Sequence, residues 1–411
     1  MKILYVVHQF YPAHYTGTER FVLNLSTTIQ KWGHKVKVMT YSFYDMGFYD
    51  SSADGFHSKQ FIYKGIPVFA IQHKQPIPPD LDWGVENPSL ARYAESLLVS
   101  QKPDLVHVAH PMRMAEFAAA ARRLGIPYVA TLTDFFLMCP KSILFTSKGT
   151  LCSGPEKGEA CKQFCPQFQD DVVTRRLAKT EYILRNAACV AAPSKFLGAL
   201  FKNEFPWLNR KVVPYGIDYS HIERNTRAFN GNDKLVILYA GQLDYHKGVP
   251  ILIDAVRRSK MDKFVVKLYG SGPPTVERQL REMAKGEKRV EFCGVYKKEQ
   301  MSEVFNSADV VVAPSMWHEN NTIVMLEALA SNIPCIVSNG GGMVEQIQDG
   351  VNGFIVRMGD AEHLKDTIER IVKQPRLLSE MKKNVNAYAV TTVEQEAYAY
   401  EEEYSRIVAN R

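Results

Sequence analysis

The turn after the first strand of this 411-residue chain is not GxGxxG, and no GxxxxGK[ST] loop occurs anywhere in it. Both absences argue against a nicotinamide dehydrogenase or a P-loop NTPase, which need glycines at fixed spacing to bring backbone amides against a pyrophosphate. No stretch approaches the roughly 20 apolar residues of a membrane span. The opening MKILYVVHQFYP carries one lysine and an apolar run that polar residues soon interrupt, too short for a secretory signal, so it reads as a first strand. A cytoplasmic protein is expected. Paired CxxC motifs are also lacking. Of seven cysteines, Cys189, Cys293 and Cys335 stand alone in apolar contexts and read as core thiols, while Cys139, Cys152, Cys161 and Cys165 fall in one segment.

What is present is the composition of a folded protein, 46% hydrophobic and 23% charged. At this length two domains of roughly 200 residues are expected. Strand-like runs (KILYVV, KVKVMTY, LVHVAH, YVATLT, CVAAPS) alternate with amphipathic segments in the first half, and KLVILYAG, FVVKLYG, RVEFCG, VVVAPS and PCIVSN repeat the plan in the second. The alternation predicts two parallel-sheet α/β domains, residues 1–216 and 217–390, with a linker inside Val212–Lys234. The segment 391–411 predicts a closing helix with Tyr398, Tyr404, Ile407 and Val408 at helical spacing.

The net charge of +6 is uneven: residues 1–218 hold 25 Lys and Arg against 18 Asp and Glu (+7), and residues 219–411 hold 25 against 26 (−1). The basic half suits an acidic partner or peripheral contact with the anionic inner face of a membrane, or is an ordinary solvated surface. Nucleic acid is not an expected partner.

Several loops follow strands with glycines that let a backbone approach a ligand. Gly17 lies between the first strand and a helix, where helix amides can face an anion, although a plain tight turn explains it equally. Gly241, Lys247 and Gly248 follow LYA, and Gly270 and Gly272 follow KLY. Such loops at strand ends of one domain fit a ligand crevice across an open parallel sheet, with Lys247 placed to neutralise a phosphate.

The segment SMWHENNTIVMLE adds two glutamates, Glu319 and Glu327, either side of a helix start near Asn321 or Thr322, with Ile323, Leu326 and Leu329 or Ala330 turned to the core. Amides from Asn320 to Ile323 would offer an anion site with a carboxylate on each side. A ligand with hydroxyls, a diphosphate and further hydroxyls matches that order, as in a nucleotide sugar; a helix with an unrelated surface glutamate is the other reading.

These pieces together resemble the retaining glycosyltransferases of family GT4: TGTER, KWGHKVKVMT, PDLVHVAH, GIPYVATLTD, VVPYGID, AGQLDYHKG, YGSGP and the long APSMWHENNTIVMLEALASNIPCIVSNGGGMVEQIQDGVNGFIV. The resemblance runs nearly end to end and implies the GT-B fold, two Rossmann-like domains facing a central cleft, with acceptor sites on the first domain and the nucleotide-sugar donor on the second. It implies that Glu327 binds the ribose, Glu319 the transferred sugar beside Asn320, Asn321 and Thr322, and Lys247 the diphosphate, with Gly17 and Thr18 approaching it from the first domain. Catalysis without a metal cofactor is implied, Lys247 and helix amides stabilising the departing nucleoside diphosphate. Family frequency favours UDP-glucose or another UDP-hexose, with GDP-mannose next, and a glycan or lipid-linked acceptor.

Three positions depart from the family pattern. Gln242 stands where arginine is common, which leaves more of the phosphate charge to Lys247. Thr133 stands where many relatives have a histidine, with Asp134 retained and His107 and His110 as acceptor-side alternatives or structural histidines. Thr16-Gly17-Thr18 replaces two adjacent glycines. A nucleotide-sugar-binding regulator without transfer activity, or a GT-B epimerase or phosphorylase, are the competing functions.

The four clustered cysteines, spaced C-x12-C-x8-C-x3-C over residues 139–165, allow a structural zinc, free thiols or, least in a cytoplasmic protein, disulfides. A similar insert occurs in a GT4 branch concerned with surface polysaccharides. Its place after Asp134 suggests that it borders the acceptor site.

Overall fold

A computed structural model describes residues 1–411 except Gln75, Gln169, Tyr388 and Ala389. The chain divides into two compact units, Met1–Gly216 with Val393–Arg411, and Ile217–Thr392.

Unit 1 is built on a nine-stranded sheet of β1 (Lys2–Val7), β2 (Lys35–Tyr41), β3 (Ser51–Ala53), β4 (Phe56–Tyr63), β5 (Ile66–His73), β6 (Leu105–Val108), β7 (Tyr128–Thr131), β8 (Cys189–Ala192) and β9 (Lys211–Val212), in the order β3-β4-β5-β2-β1-β6-β7-β8-β9. The seven strands from β5 to β9 pair in parallel, and β3 and β4 add an antiparallel edge. Central strands such as β1 and β6 are buried throughout most of their length, as expected when helices cover both faces.

The helix Gly17–Lys31 buries Phe21, Val22, Leu25 and Ile29, one stripe at helical spacing. The C-terminal helix Val393–Ala409 packs beside it and buries Val393, Ala397, Tyr400, Tyr404 and Ile407. Tyr398, expected on that inner stripe, is 63% exposed. Tyr400 and Tyr404 take the inward positions because they lie one turn apart on the face that begins with Val393.

Unit 2 has six parallel strands, β10 (Leu235–Ala240), β11 (Phe264–Tyr269), β12 (Val290–Gly294), β13 (Val310–Ala313), β14 (Cys335–Ser338) and β15 (Gly353–Val356), ordered β12-β11-β10-β13-β14-β15. From β10 the chain proceeds outward through β11 and β12, then returns to the other side of β10 for β13 and continues outward. The order therefore reverses between β10 and β13, and loops leaving the carboxyl ends of those two strands part in opposite directions, opening a crevice. In unit 1 the corresponding reversal lies between β1 and β6.

Candidate active site

The loops at the unit 2 reversal carry Lys247, after β10, and Glu319, after β13. They meet: Lys247 Nζ donates to Glu319 Oε1 at 2.8 Å. Ser315 Oγ and Trp317 Nε1 donate to the same oxygen, each at 2.8 Å. Three donors therefore fix the carboxylate through one oxygen, and a carboxylate has lone pairs on both oxygens with which to accept further hydrogen bonds. Glu319 is buried, and burial alone would raise its pKa; the charge of Lys247 and the bonds from Lys247, Ser315 and Trp317 outweigh that and hold it below the usual carboxylate value. It is ionised at neutral pH. The Lys247 ammonium also lies 4.7 Å from the centre of the Trp317 ring, whose edge meets His246 at 5.2 Å.

Backbone packing sets this geometry. Gly342 N donates to Glu319 O at 2.6 Å, and Gly341, at φ +79°, passes so close that an added Cβ would lie 1.9 Å from that oxygen. Gly248, at φ +74°, approaches Pro314 O in the same way and begins the helix Val249–Arg258 directly after Lys247. Only glycine fits either position.

The helix Ile323–Ala330 starts four residues beyond Glu319, with Thr322 as N-cap; the Thr322 hydroxyl faces Met343 Sδ at 3.9 Å and makes no capping bond. Its sequence pattern predicts Ile323 on the core face, but Ile323 is half-buried and Met325, Leu326, Glu327, Ala328 and Leu329 are buried. The helix is apolar nearly all round because it is packed on several sides. Glu327 is 2% exposed. Asn320 is half-buried and Asn321 buried, beside Glu319.

The remaining unit 2 loops stack at the same end of the sheet. Gly241 N donates to Tyr269 O and Leu243 N to Ser271 O, both at 3.0 Å, so the Gly241 and Gly270–Gly272 segments are paired. Gln242 is exposed, and its carbonyl accepts from Tyr239 Oη at 2.6 Å.

Unit 1 gathers a second polar group at its own reversal. His8, past the end of β1, lies against His110, past β6, with ring centres 3.9 Å apart. His110 Nε2 is 3.0 Å from Asp134 Oδ2, and Asp134 Oδ1 accepts from Phe136 N at 2.7 Å. Burial first, then the charges of His110, Arg113 and His14, hold His8 well below the usual histidine range, so it is neutral. Glu19, fully buried, accepts from Thr16 N and Thr16 Oγ1 at 2.6 Å, a capping box that seats the start of the helix bearing Gly17 and Thr18. Its Oε1 is 3.8 Å from His8 Nε2. Thr133 Oγ1 donates to Ala109 O at 3.2 Å.

His107 is not part of this group. It is 0% exposed, with Nδ1 2.5 Å from Tyr404 Oη and Nε2 2.7 Å from Thr131 Oγ1. Burial pushes its pKa down to about 3, and it joins β6 and β7 to the C-terminal helix. His8, Glu19, Ser315 and Trp317 were not expected from the motifs; the Thr16-x-x-Glu19 capping box is a signal that pointed to one of them. The four clustered cysteines line one small cavity, and none is in a disulfide.

A family model described as "Glycosyltransferase Family 4" matches residues 15–221, half of the chain, and one described as "Glycosyl transferases group 1" matches residues 222–388. Among curated relatives, an uncharacterized glycosyltransferase of Methanocaldococcus jannaschii is 24% identical over 90% of this chain and 89% of its own. A lipopolysaccharide 1,2-N-acetylglucosaminetransferase of Salmonella typhimurium is 28% identical over 41% of this chain, and the match spans only 49% of that relative. Among solved structures, Anabaena HepE in complex with UDP and glucose superposes with a TM-score of 0.72 at 19% identity, covering 98% of this chain and 99% of that one. Sucrose-phosphate synthase from Thermosynechococcus elongatus superposes at 0.73 with 19% identity and full coverage of both chains. The two parallel-sheet units are those of the GT-B fold, and the chain belongs to glycosyltransferase family 4.

Proposed function

We propose that the protein transfers a hexosyl unit, with retention of anomeric configuration, from a UDP-sugar to a glycan or lipid-linked acceptor in surface polysaccharide or glycolipid synthesis. GDP-mannose is the next donor in order. The observation that carries this reading is Glu319, ionised and held through Oε1 by three donors, one of them Lys247, a fixed carboxylate of the kind that accepts from sugar hydroxyls. The Salmonella relative named as a lipopolysaccharide N-acetylglucosaminetransferase and the HepE complex with UDP support the donor and acceptor classes.

In this reading Glu327 binds the ribose, and the loops at Gly241, Gln242, Gly270 and Gly272 border the nucleotide. Lys247 and the amides at Asn320 to Ile323 stabilise the diphosphate as it departs, supplying the positive charge without a catalytic metal. The leaving phosphate accepts the acceptor's proton on the face from which the acceptor attacks. His110 and Asp134, beside Thr133, serve the acceptor. The enzyme works in the cytoplasm, with the basic first half suited to peripheral contact with the membrane.

A melting-temperature panel of nucleotide sugars tests the donor, since a ligand bound only by the folded protein raises the midpoint. UDP-hexoses are expected to raise it most, and Glu327→Ala to abolish the rise. If no nucleotide sugar stabilises the protein, the reading fails. Stabilisation with neither transfer nor hydrolysis across varied acceptors would favour the non-catalytic regulator.

A further inference from the structure

Between β7 and the helix Asp170–Asn186 the chain forms a long segment with little regular structure: an isolated bridge between Phe145 and Leu151, a short turn at Glu156–Gly158 and a six-residue helix, Glu159–Phe164. A segment of this length with so few ladder bonds needs another source of order. Its cysteines are nonetheless seated on defined backbone. Cys139 N donates to Phe135 O at 2.8 Å, Cys152 N to Leu144 O at 2.9 Å and Cys165 N to Cys161 O at 2.8 Å.

Cys139, Cys152, Cys161 and Cys165 all line one cavity of about 20 Å³, closed by apolar groups that include Leu144, Phe145 and Pro155. A single water needs roughly 10–15 Å³ on the same measure, so the space suits one atom-sized guest and no organic ligand. Burial raises the thiols of Cys139 and Cys152 and pushes Cys161 up to about 12, each neighbouring thiol adding to the effect at Cys152 and Cys161.

A buried cation is bonded to the same turn that carries Cys139. Arg176 is 2% exposed; its terminal nitrogens donate to Phe136 O and Trp83 O, while its buried Nε has no acceptor. Burial lowers its pKa to about 10, and the groups whose ionised forms oppose that are Cys139, Asp134 and Cys161. A permanent charge in such a place calls for negative charge beside it. Four thiolates around a divalent ion carry a net charge of about −2 and supply it.

We propose that Cys139, Cys152, Cys161 and Cys165 bind one zinc ion as a tetrathiolate, that Arg176 balances part of the resulting negative charge, and that the ion is the core of this segment. As the side chains stand, no three His, Cys, Asp or Glu among the described residues are arranged to hold a metal, and Cys152 Sγ is turned to Gly154 O at 3.3 Å. Closing the tetrahedron, with Zn–S near 2.3 Å, takes rotation of thiols that have a single side-chain dihedral each. Each cysteine gives up its proton on binding, so affinity falls as the pH is lowered.

The test uses the full chain, purified without chelator from zinc-replete medium. About one zinc per chain is expected, and replacement by cobalt is expected to produce the visible absorption of tetrahedral cobalt–thiolate. Cys152→Ser and Cys165→Ser should each lose the metal, and Cys189→Ser should keep it. Wild-type protein with no bound metal and no cobalt–thiolate bands would overturn the proposal, as would stoichiometric iron in place of zinc or a disulfide among the four cysteines by mass spectrometry. If the serine variants do not fold, the wild-type metal content and cobalt spectrum still decide.

Discussion

Replacing Lys247 by methionine should expose what that lysine does for the folded protein apart from any substrate. Glu319 has 9% of its side chain exposed and its charge is balanced by Lys247, whose side chain is 24% exposed. Removing one partner of a buried ion pair costs about 3–5 kcal/mol, and the partial exposure of Lys247 places this pair at the lower end or just below, about 2–3 kcal/mol. For a unit of this size that corresponds to a melting-point drop of roughly 4–12 °C.

The pH dependence identifies the cause. In the wild type the folded pKa of Glu319 lies below its ordinary value of 4.5, so the carboxylate contributes stability that is present above that value and lost as the pH falls through the lowered one. Without Lys247 its burial is opposed only by Ser315 and Trp317, and the carboxyl moves up. The variant then loses stability as the pH rises through that raised value. The gap between the two proteins should be widest near about pH 7 and narrow below about pH 5. Native-state hydrogen exchange on β10 and β13 reads the opening free energy of unit 2. Lys247→Met combined with Glu319→Gln should cost less than Lys247→Met alone, because the stranded charge is gone. Equal gaps at both pH values, or single effects that simply add, would refute the reasoning.

Gly341→Ala would push a methyl group to 1.9 Å from Glu319 O at φ +79°, so it should lower the melting temperature by several degrees and reduce transfer at least as far as Glu319→Ala does. Tyr404→Phe strips Nδ1 of the buried His107 of its partner and should cost about 1–3 kcal/mol by urea unfolding, with donor binding to unit 2 unchanged. Burial raises Glu396 well above its ordinary 4.5, so it contributes stability below that value and loses it as the pH rises through the folded one. Glu396→Gln should therefore show a flatter stability profile than the wild type between about pH 5 and pH 8, read by thermal melting; parallel profiles would contradict the neutral carboxyl.

How far the fold could be read ahead depended on where the apolar residues are concentrated. The runs behind β1, β6, β7, β8, β10, β11, β13 and β14 are largely apolar and buried because parallel strands are covered on both faces, whereas β2 alternates at its start and the edge strand β12 is only partly covered. The antiparallel edge of β3, β4 and β5 has no continuous apolar run to mark it: its outer strands are half solvated, and Ile62 is 73% exposed. Yet its turns were legible, since Asp54-Gly55 and Lys64-Gly65 hold positive φ at both residues, the geometry that two-residue hairpins require. β15, Gly353–Val356, follows directly on a polar, glycine-bearing turn and carries no distinct strand pattern. The Lys247–Glu319 pair could be suspected from motifs, but its contact depends on β10 and β13 being neighbours. That is a matter of strand order, which spacing along the chain does not encode.

The two histidines of LVHVAH differ in which side of a strand end they occupy. His107 lies within β6, between β1 and β7, where every side chain enters one covered face or the other. A polar group there can persist only with internal partners, and Thr131 and Tyr404 are those partners. His110 lies two residues past the strand's last residue, Val108, at the carboxyl end where parallel sheets present their ligand-binding loops, and it meets His8 and Asp134 from the corresponding ends of β1 and β7. The same residue type three positions apart thus divides between scaffold and candidate site according to which side of the strand terminus it occupies. By that criterion Glu319, six residues past Ala313, and Lys247, seven past Ala240, fall on the ligand side as well, while Glu396, on a helix whose buried stripe faces the core of unit 1, falls with the scaffold.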